Sequence, residues 1–280
     1  MSIRVLTWNI QWGRGMDGIT DLKRIVEHAR QMGDPDILCF QEVSAHMPDL
    51  ADTNGADQFA ELAALLPQHT AIAGTPLEIF DPHGKPRRFG NAIFSRLPVR
   101  QVLRHTLPWI PDGERNMPRG LIEATVIAPF GLLRVMTTHL EYFSAEARAA
   151  QVDAIRTIHA AAYMRSKSPP DEGKGPYEPT PRPAAALLMG DFNMPPSHPT
   201  KRRISDKHDN GAPRLIDAWN AAHEPEPHPH SFCITDQTYG QPHCCDFMFV
   251  SEGLTHRIVE IAYDTETRLS DHQPVLLTLE

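Results

Sequence analysis

The chain has 280 residues, 41% hydrophobic and 22% charged, which is enough to bury a sizeable core and ordinary for a globular protein. Its formal net charge of −8 argues against a surface that grips long nucleic acid through many phosphates, while leaving a single-phosphate contact open. No apolar run approaches the ~18 residues of a membrane span, and no basic and apolar secretory leader precedes the first strand pattern, so a cytoplasmic location is expected.

Residues 3–8 are rich in β-formers and predict a strand. Thr20 is the expected cap of a helix with Leu22, Ile25, Val26 and Ala29 at helical spacing, stopped by Gly33 and Pro35. The apolar run 36–41 predicts a buried strand that ends in the polar pair Gln41-Glu42, and residues 56–66 predict a second helix. Strands are expected at 91–95, 120–128 and 132–138, then a long helix over 145–165 capped by Ser144. Residues 166–183 carry six prolines and two glycines and read as a loop. Strands return at 185–190, 245–251, 257–263 and 274–279, interrupted by a second proline-rich stretch at 223–230. Candidate site residues lie on both sides of these loops and must converge, so a single domain spanning 1–280 is expected.

Asn, Asp, Glu and His recur at the predicted strand ends: Asn9, Glu42, His139, Asp191, Asn193, Asp246, Asp271 and His272. Strand ends along one edge of a sheet meet in one cleft, which suits an active site. The residue types suit a single chemistry. Mg²⁺ takes hard oxygen ligands, which Asn9, Glu42 and Asp271 supply. Asp191 can accept a proton from a water nucleophile. Asn193 can hold that water or a phosphoryl oxygen, and His139 and His272, best when protonated, can donate to phosphoryl oxygens. Asp246 can pair with His272 and raise its pKa.

Trp8-Asn9, Gln41-Glu42, Gly90 to Ser95, Thr138-His139-Leu140, Gly190-Asp191-Phe192-Asn193, Asp246 to Val250 and Ser270-Asp271-His272-Gln273-Pro274 together resemble the ordered motifs of the endonuclease/exonuclease/phosphatase superfamily. The resemblance runs over nearly the whole chain. It implies an α+β fold, a four-layer α/β/β/α sandwich of two mixed, largely antiparallel sheets with helices outside. It also implies Mg²⁺ or Mn²⁺ held by Asn9 and Glu42, and hydrolysis of a phosphoester by one in-line attack of water. His139 looks more like the pancreatic deoxyribonuclease, sphingomyelinase and inositol-phosphatase side, and Gln11 and the sequence Gln41-Glu42-Val43-Ser44 depart from the exonuclease III-like side.

Several features have plainer readings. Asn91 is equally a turn residue and a substrate contact, and Arg119 equally a structural arginine and a phosphate ligand. Lys85 to Arg88 reads as a solvated basic turn, and the His-Pro stretch 223–230 as a loop. Cys244-Cys245 reads as two small thiols in a strand. The partner expected from the whole pattern is a phosphoester of unspecified kind. The rivals to a phosphodiesterase are a DNA endonuclease or exonuclease of the same fold, a non-catalytic phosphate-binding module, and a structural zinc protein using His243, Cys244 and Cys245.

Overall fold

The computed structural model describes residues 2–111, 113–169 and 172–280. The first sheet contains β1 (Ile3–Asn9), β2 (Ile37–Ala45), β3 (Thr70–Phe80), β4 (Pro86–Ser95), β11 (Ile258–Tyr263) and β12 (Val275–Leu279), in the order β11-β12-β1-β2-β4-β3. The second contains β5 (Val99–Thr106), β6 (Gly120–Ala128), β7 (Gly131–His139), β8 (Ala186–Asp191), β9 (Leu215–Asp217) and β10 (Asp246–Ser251), in the order β5-β6-β7-β8-β10-β9. The helices are α1 (Leu22–Gln31), α2 (Gln58–Leu65), α3 (Ala145–Lys167), α4 (Pro199–Arg203) and α5 (Ala218–His223).

The layers follow from side-chain alternation. In β1, Ile3 and Val5 point into the inter-sheet core with Ile37, Ile93, Val135, Leu187 and Met248. Leu6 and Trp8 point the other way, onto Ile25 and Val26 of α1 and Leu62 of α2. On the far side Leu188, Phe247 and Phe249 meet Val152 and Ile155 of α3. Both sheets are therefore covered on both faces, which is why their central strands read as near-continuous apolar runs. The result is the expected α/β/β/α sandwich.

Each sheet has one parallel pair at its centre and antiparallel pairs elsewhere. β1 runs parallel to β2, with Asn9 opposite Gln41, and β7 parallel to β8, with His139 opposite Asp191. A parallel pair needs a helical crossover; α1 supplies it in the first sheet and α3 in the second. The α1 cap is Asp21 and not Thr20: its carboxylate accepts from the Lys23 and Arg24 amides. Ser144 caps α3 as expected, accepting from Ala147 N at 3.0 Å.

The structure corrects several expected boundaries. β2 continues past Gln41 to Ala45, so Glu42 lies inside a strand. The 3-10 turn Gly175–Tyr177 interrupts the proline-rich segment, of which Pro170 and Asp171 lie outside the described residues. Pro86, Arg87 and Arg88 open β4, with Arg87 paired to Asp49 and Arg88 to Asp57, so that stretch is part of the sheet and not a solvated turn. Cys244 and Cys245 are buried but precede β10. No helix among the described residues is long and apolar enough to cross a membrane.

Candidate active site

The two parallel pairs bring their C-terminal ends to the same end of the sandwich. Asn9 ends β1, His139 ends β7 and Asp191 ends β8, while Asp246 opens β10 directly across from Asp191. The Asp271-His272 turn precedes β12 and is tied to β1 by Trp8 Nε1 donating to the His272 carbonyl at 2.9 Å and Ser270 Oγ to the Asn9 carbonyl at 2.7 Å. Beneath this end, Gln41 of the first sheet donates to Thr137 Oγ1 of the second at 2.9 Å.

Two local devices aim the acids. The β2–β4 register shifts between Phe40 and Val43, and Glu42 sits in this bulge at φ 59°. A bulge of this kind turns a side chain out of the strand's alternation, and here it delivers Glu42 to the cleft. Gly190, at φ 135°, lets β8 press on β7 so closely that a Cβ would lie 1.9 Å from the Thr138 carbonyl oxygen.

Asp191 is buried and held from several sides. Its Oδ1 accepts from Asn193 N at 2.9 Å, forming an Asx turn, and its Oδ2 accepts from Asn9 Nδ2 at 3.0 Å. Burial alone would raise its pKa, but His272, His139 and the Asn9 amide hold it below the usual carboxylate range. His272 Nε2 lies 3.6 Å from Asp191 Oδ2, and its Nδ1 lies 2.9 Å from Asp246 Oδ2. Burial opposes the imidazolium, yet Asp246 and Asp191 outweigh it and keep His272 well above the ordinary histidine range. Asp246 is itself fixed by Ser231 Oγ at 2.7 Å, a residue without any sequence motif to mark it.

His139 differs from the expectation of a protonated ring. Burial, and then the neighbouring Arg119, lower its pKa to about 3, so the ring is neutral. Asn193 Nδ2 donates to His139 Nε2 at 2.9 Å and also to the Leu140 carbonyl at 2.9 Å. This pattern puts the ring proton on Nδ1, which lies 3.9 Å from Glu42 Oε1. Asn193 thus orients His139, and its amino group is already engaged.

Glu42 and Asp271 face the same space. Burial and the nearby Asp271 charge raise Glu42 to about 7, and burial raises Asp271. Gln11 Nε2 holds Asp271 Oδ2 at 2.8 Å. Among the described residues neither acid makes an ion pair with Lys or Arg. Two hard carboxylates crowded together in this way fit a divalent cation. Asn9 fits that role less directly: its Oδ1 accepts from Gln11 N at 3.1 Å and its amino group faces Glu42 and Asp191. To act as an oxygen ligand it would have to turn over and give up both carboxylate bonds. Donor atoms of Asp191, Cys245 and His272 also gather within 4.8 Å. His243 turns to the Gln241 carbonyl and Cys244 to the Asp246 carbonyl, so the three residues of the zinc rival do not share a focus.

Arg119 lines the cleft, 6% exposed; its Nε meets Glu141 Oε2 at 3.3 Å, while its Nη1 has no hydrogen-bond partner among the described residues. Asn91, buried in β4, borders only a small recess behind His139 and not the main cleft. The walls contain residues that no motif marks, among them Trp12, Phe89, Tyr142, Phe143, Phe232 and Tyr239. The His-Pro stretch is structural: His223 stacks at 4.1 Å on Trp219, and His228 Nε2 meets Asp217 Oδ2 at 2.9 Å.

Comparison with known proteins identifies the family and the fold. The family model described as Endonuclease/Exonuclease/phosphatase family matches residues 6–272. No curated protein sequence matches. Among solved structures, an endonuclease/exonuclease/phosphatase from Beutenbergia cavernae aligns with all of this chain and 71% of its own at 23% identity and TM-score 0.71. Truncated TDP2 from Caenorhabditis elegans aligns over 100% and 97% of the two chains at 17% identity and TM-score 0.64. The human Nocturnin catalytic domain, solved with bound sulfate, aligns over 100% and 94% at 20% identity and TM-score 0.65. At these identities the likeness to solved structures is one of fold, and the family assignment rests on the match over residues 6–272: the chain belongs to the endonuclease/exonuclease/phosphatase family.

Proposed function

We propose that the protein hydrolyses a phosphoester, most simply a phosphodiester, with a water nucleophile and a divalent cation, Mg²⁺ or Mn²⁺. Family members are typically hydrolytic phosphoesterases or nucleases and generally depend on a divalent metal. The observation that carries the proposal is the pair Glu42 and Asp271, close together and without a Lys or Arg counter-ion among the described residues, beside an Asp191–His272–Asp246 chain. A cation held by Glu42 and Asp271 would offset phosphoryl charge. Asp191, fixed by Asn9 and the Asn193 amide, orients the attacking water and takes its proton as the oxygen–phosphorus bond forms. His272, kept protonated by Asp246, donates from Nε2 to a phosphoryl oxygen, and neutral His139 donates from Nδ1. The ester oxygen departs on the opposite side with the electrons of the broken bond.

Turnover should be measured with Mg²⁺ or Mn²⁺ on generic diesters, sugar phosphates, phospholipids, plasmid DNA and abasic DNA. Asp191→Ala and His272→Ala should each lower it by about 10²–10⁴-fold in folded protein. Unchanged turnover in either variant removes that residue from the mechanism, and no turnover on any substrate favours the binding-module alternative. A nuclease would show preferential DNA cleavage with steep salt dependence. A cytoplasmic setting is part of the proposal and suits four free cysteines.

A further inference from the structure

The cleft that contains the phosphoryl site is about 400 Å³, and its lining includes Trp12, Phe89, Tyr142, Phe143, Phe232 and Tyr239. Tyr142, Phe143 and Tyr239 are exposed, and all three line it. On one side the rings form a ladder. Phe232 stacks on the catalytic-site His272 with centroids 4.4 Å apart and planes 25° apart, and Tyr239 continues at 6.3 Å and 25°. Phe232 is 8% exposed and Tyr239 62%, so the ladder leads from the buried imidazole to open solvent. Tyr142 and Phe143 make another aromatic surface, packed edge to face at 4.9 Å, with the Arg115 guanidinium 4.5 Å from the Phe143 ring centroid.

Charge narrows the ligand further. The arginines lining the cleft are Arg115 and Arg119, against the carboxylates of Glu42, Glu141, Asp191 and Asp271. Arg119 lines this cleft and is more than nine-tenths buried; its Nε meets Glu141, and its Nη1 has no hydrogen-bond partner among the described residues. A buried donor left open costs free energy unless a ligand satisfies it, and a phosphoryl oxygen does so with charge assistance. Such a lining suits one phosphate, not a run of them. A volume near 400 Å³ holds one ring system of nucleoside size beside it.

We propose that the substrate is a small phosphoester bearing one flat aromatic group, of the nucleotide or aryl phosphate class, with Arg119 contacting its phosphate and Tyr239 carrying its ring. This rests on the phosphoesterase reading for the position of the phosphate, and it specifies what is attached to it. Tyr239 presents an open face parallel to Phe232, and stacking on such a face tolerates any aromatic ring. A lipid chain or bare sugar phosphate gains nothing from a parallel ladder.

The test is binding rather than turnover, so that it fails independently of the hydrolysis claim. Calorimetric Kd values for AMP, ribose 5-phosphate and benzyl phosphate are measured with the Asp191→Asn protein in Mn²⁺. AMP is expected to bind about tenfold or more tighter than ribose 5-phosphate, which differs from it in lacking the ring. Tyr239→Ala, at an exposed position where folding is not at risk, should remove most of that advantage and leave ribose 5-phosphate within about twofold. Arg119→Lys and Arg119→Gln should weaken all three ligands about equally, the lysine variant less. Benzyl phosphate matching AMP points to an aryl ester, and AMP exceeding it points to a nucleotide; either supports the aromatic class. Equal Kd values for AMP and ribose 5-phosphate overturn the proposal. So does an equal loss for both on Tyr239→Ala, or far tighter, steeply salt-dependent binding of an oligonucleotide.

Discussion

Gln11 illustrates how a residue acts through its neighbour. Its amide holds Asp271 Oδ2 at 2.8 Å while its own backbone N–H fixes Asn9 Oδ1. Supporting contacts of this kind typically carry 10–100-fold in metal affinity. Gln11→Ala should therefore raise the Mn²⁺ concentration needed for half-maximal activity by about tenfold or more, with little change in maximal rate at saturating metal. Gly190 acts through space alone. With φ at 135° and the Thr138 carbonyl oxygen 1.9 Å from where a methyl group would sit, Gly190→Ala must push β8 off β7 or distort both. Its urea unfolding curve should show a loss of several kcal/mol, in the range of strained or overpacked core variants. Of the candidate site acids, Glu42 and Asp191 stand out in the sequence because each ends an apolar run, where a carboxylate is costly without a partner, and Asp271 through the motif Ser270 to Pro274. Ser231 and Gln11 are not legible as supports, because nothing in a Ser or Gln announces which distant carboxylate it will meet.

Among the secondary-structure elements, the central strands and the edge strand β11 are readable and the other edges are not. β1, β8 and β10 are buried on both faces and stand out as apolar runs. β3 and β5, at sheet edges, are made mostly of exposed and half-buried positions, and β9 spans only Leu215–Asp217. The bulge in β2 has no sequence mark, so the apolar pattern points to Glu42 but puts it at a strand end. One element-level linkage carries a pH dependence. Glu123 of β6 is buried, and it accepts two 2.8 Å bonds from Arg182 of the proline-rich segment, with His105 of β5 at 3.2 Å and Arg134 of β7 at 3.6 Å. Burial would raise its pKa, but Arg182, His105 and Arg134 together lower it from 4.5 to about 2. A lowered carboxyl pKa stabilises the fold above its unfolded value and loses that contribution as pH falls from 4.5 towards 2. The loss amounts to about 3 kcal/mol. Urea titrations at pH 6 and pH 3 should show about 2 kcal/mol of this drop in the wild type and a smaller one in Glu123→Gln, which is already weaker at pH 6 because Arg134 is left without its counter-ion.

At the scale of the whole molecule, the two sheets are built to one plan, each with a parallel pair between flanking antiparallel strands, and each contributes part of the site. Neither sheet alone holds the proposed site: Asn9, Glu42 and Asp271 come with the first, His139, Asp191 and Asp246 with the second. A cation between Glu42 and Asp271 should stabilise the fold as a whole, by about 2.7 kcal/mol at a hundred times its Kd. Differential scanning calorimetry should show a rise in Tm on adding Mn²⁺ and its reversal by chelator, with a smaller rise in Glu42→Gln. The pairing of β1 with β12 has a different consequence. Ile3 lies opposite Leu279, so residues near the two ends of this sequence are neighbours across one ladder. Joining them through a short Gly-Ser linker and opening the chain at exposed Glu178 would yield a circular permutant in which every strand keeps its partners. The order in which strands emerge would change, with Asp191, Asp246 and Asp271 made before Asn9 and Glu42 rather than after them.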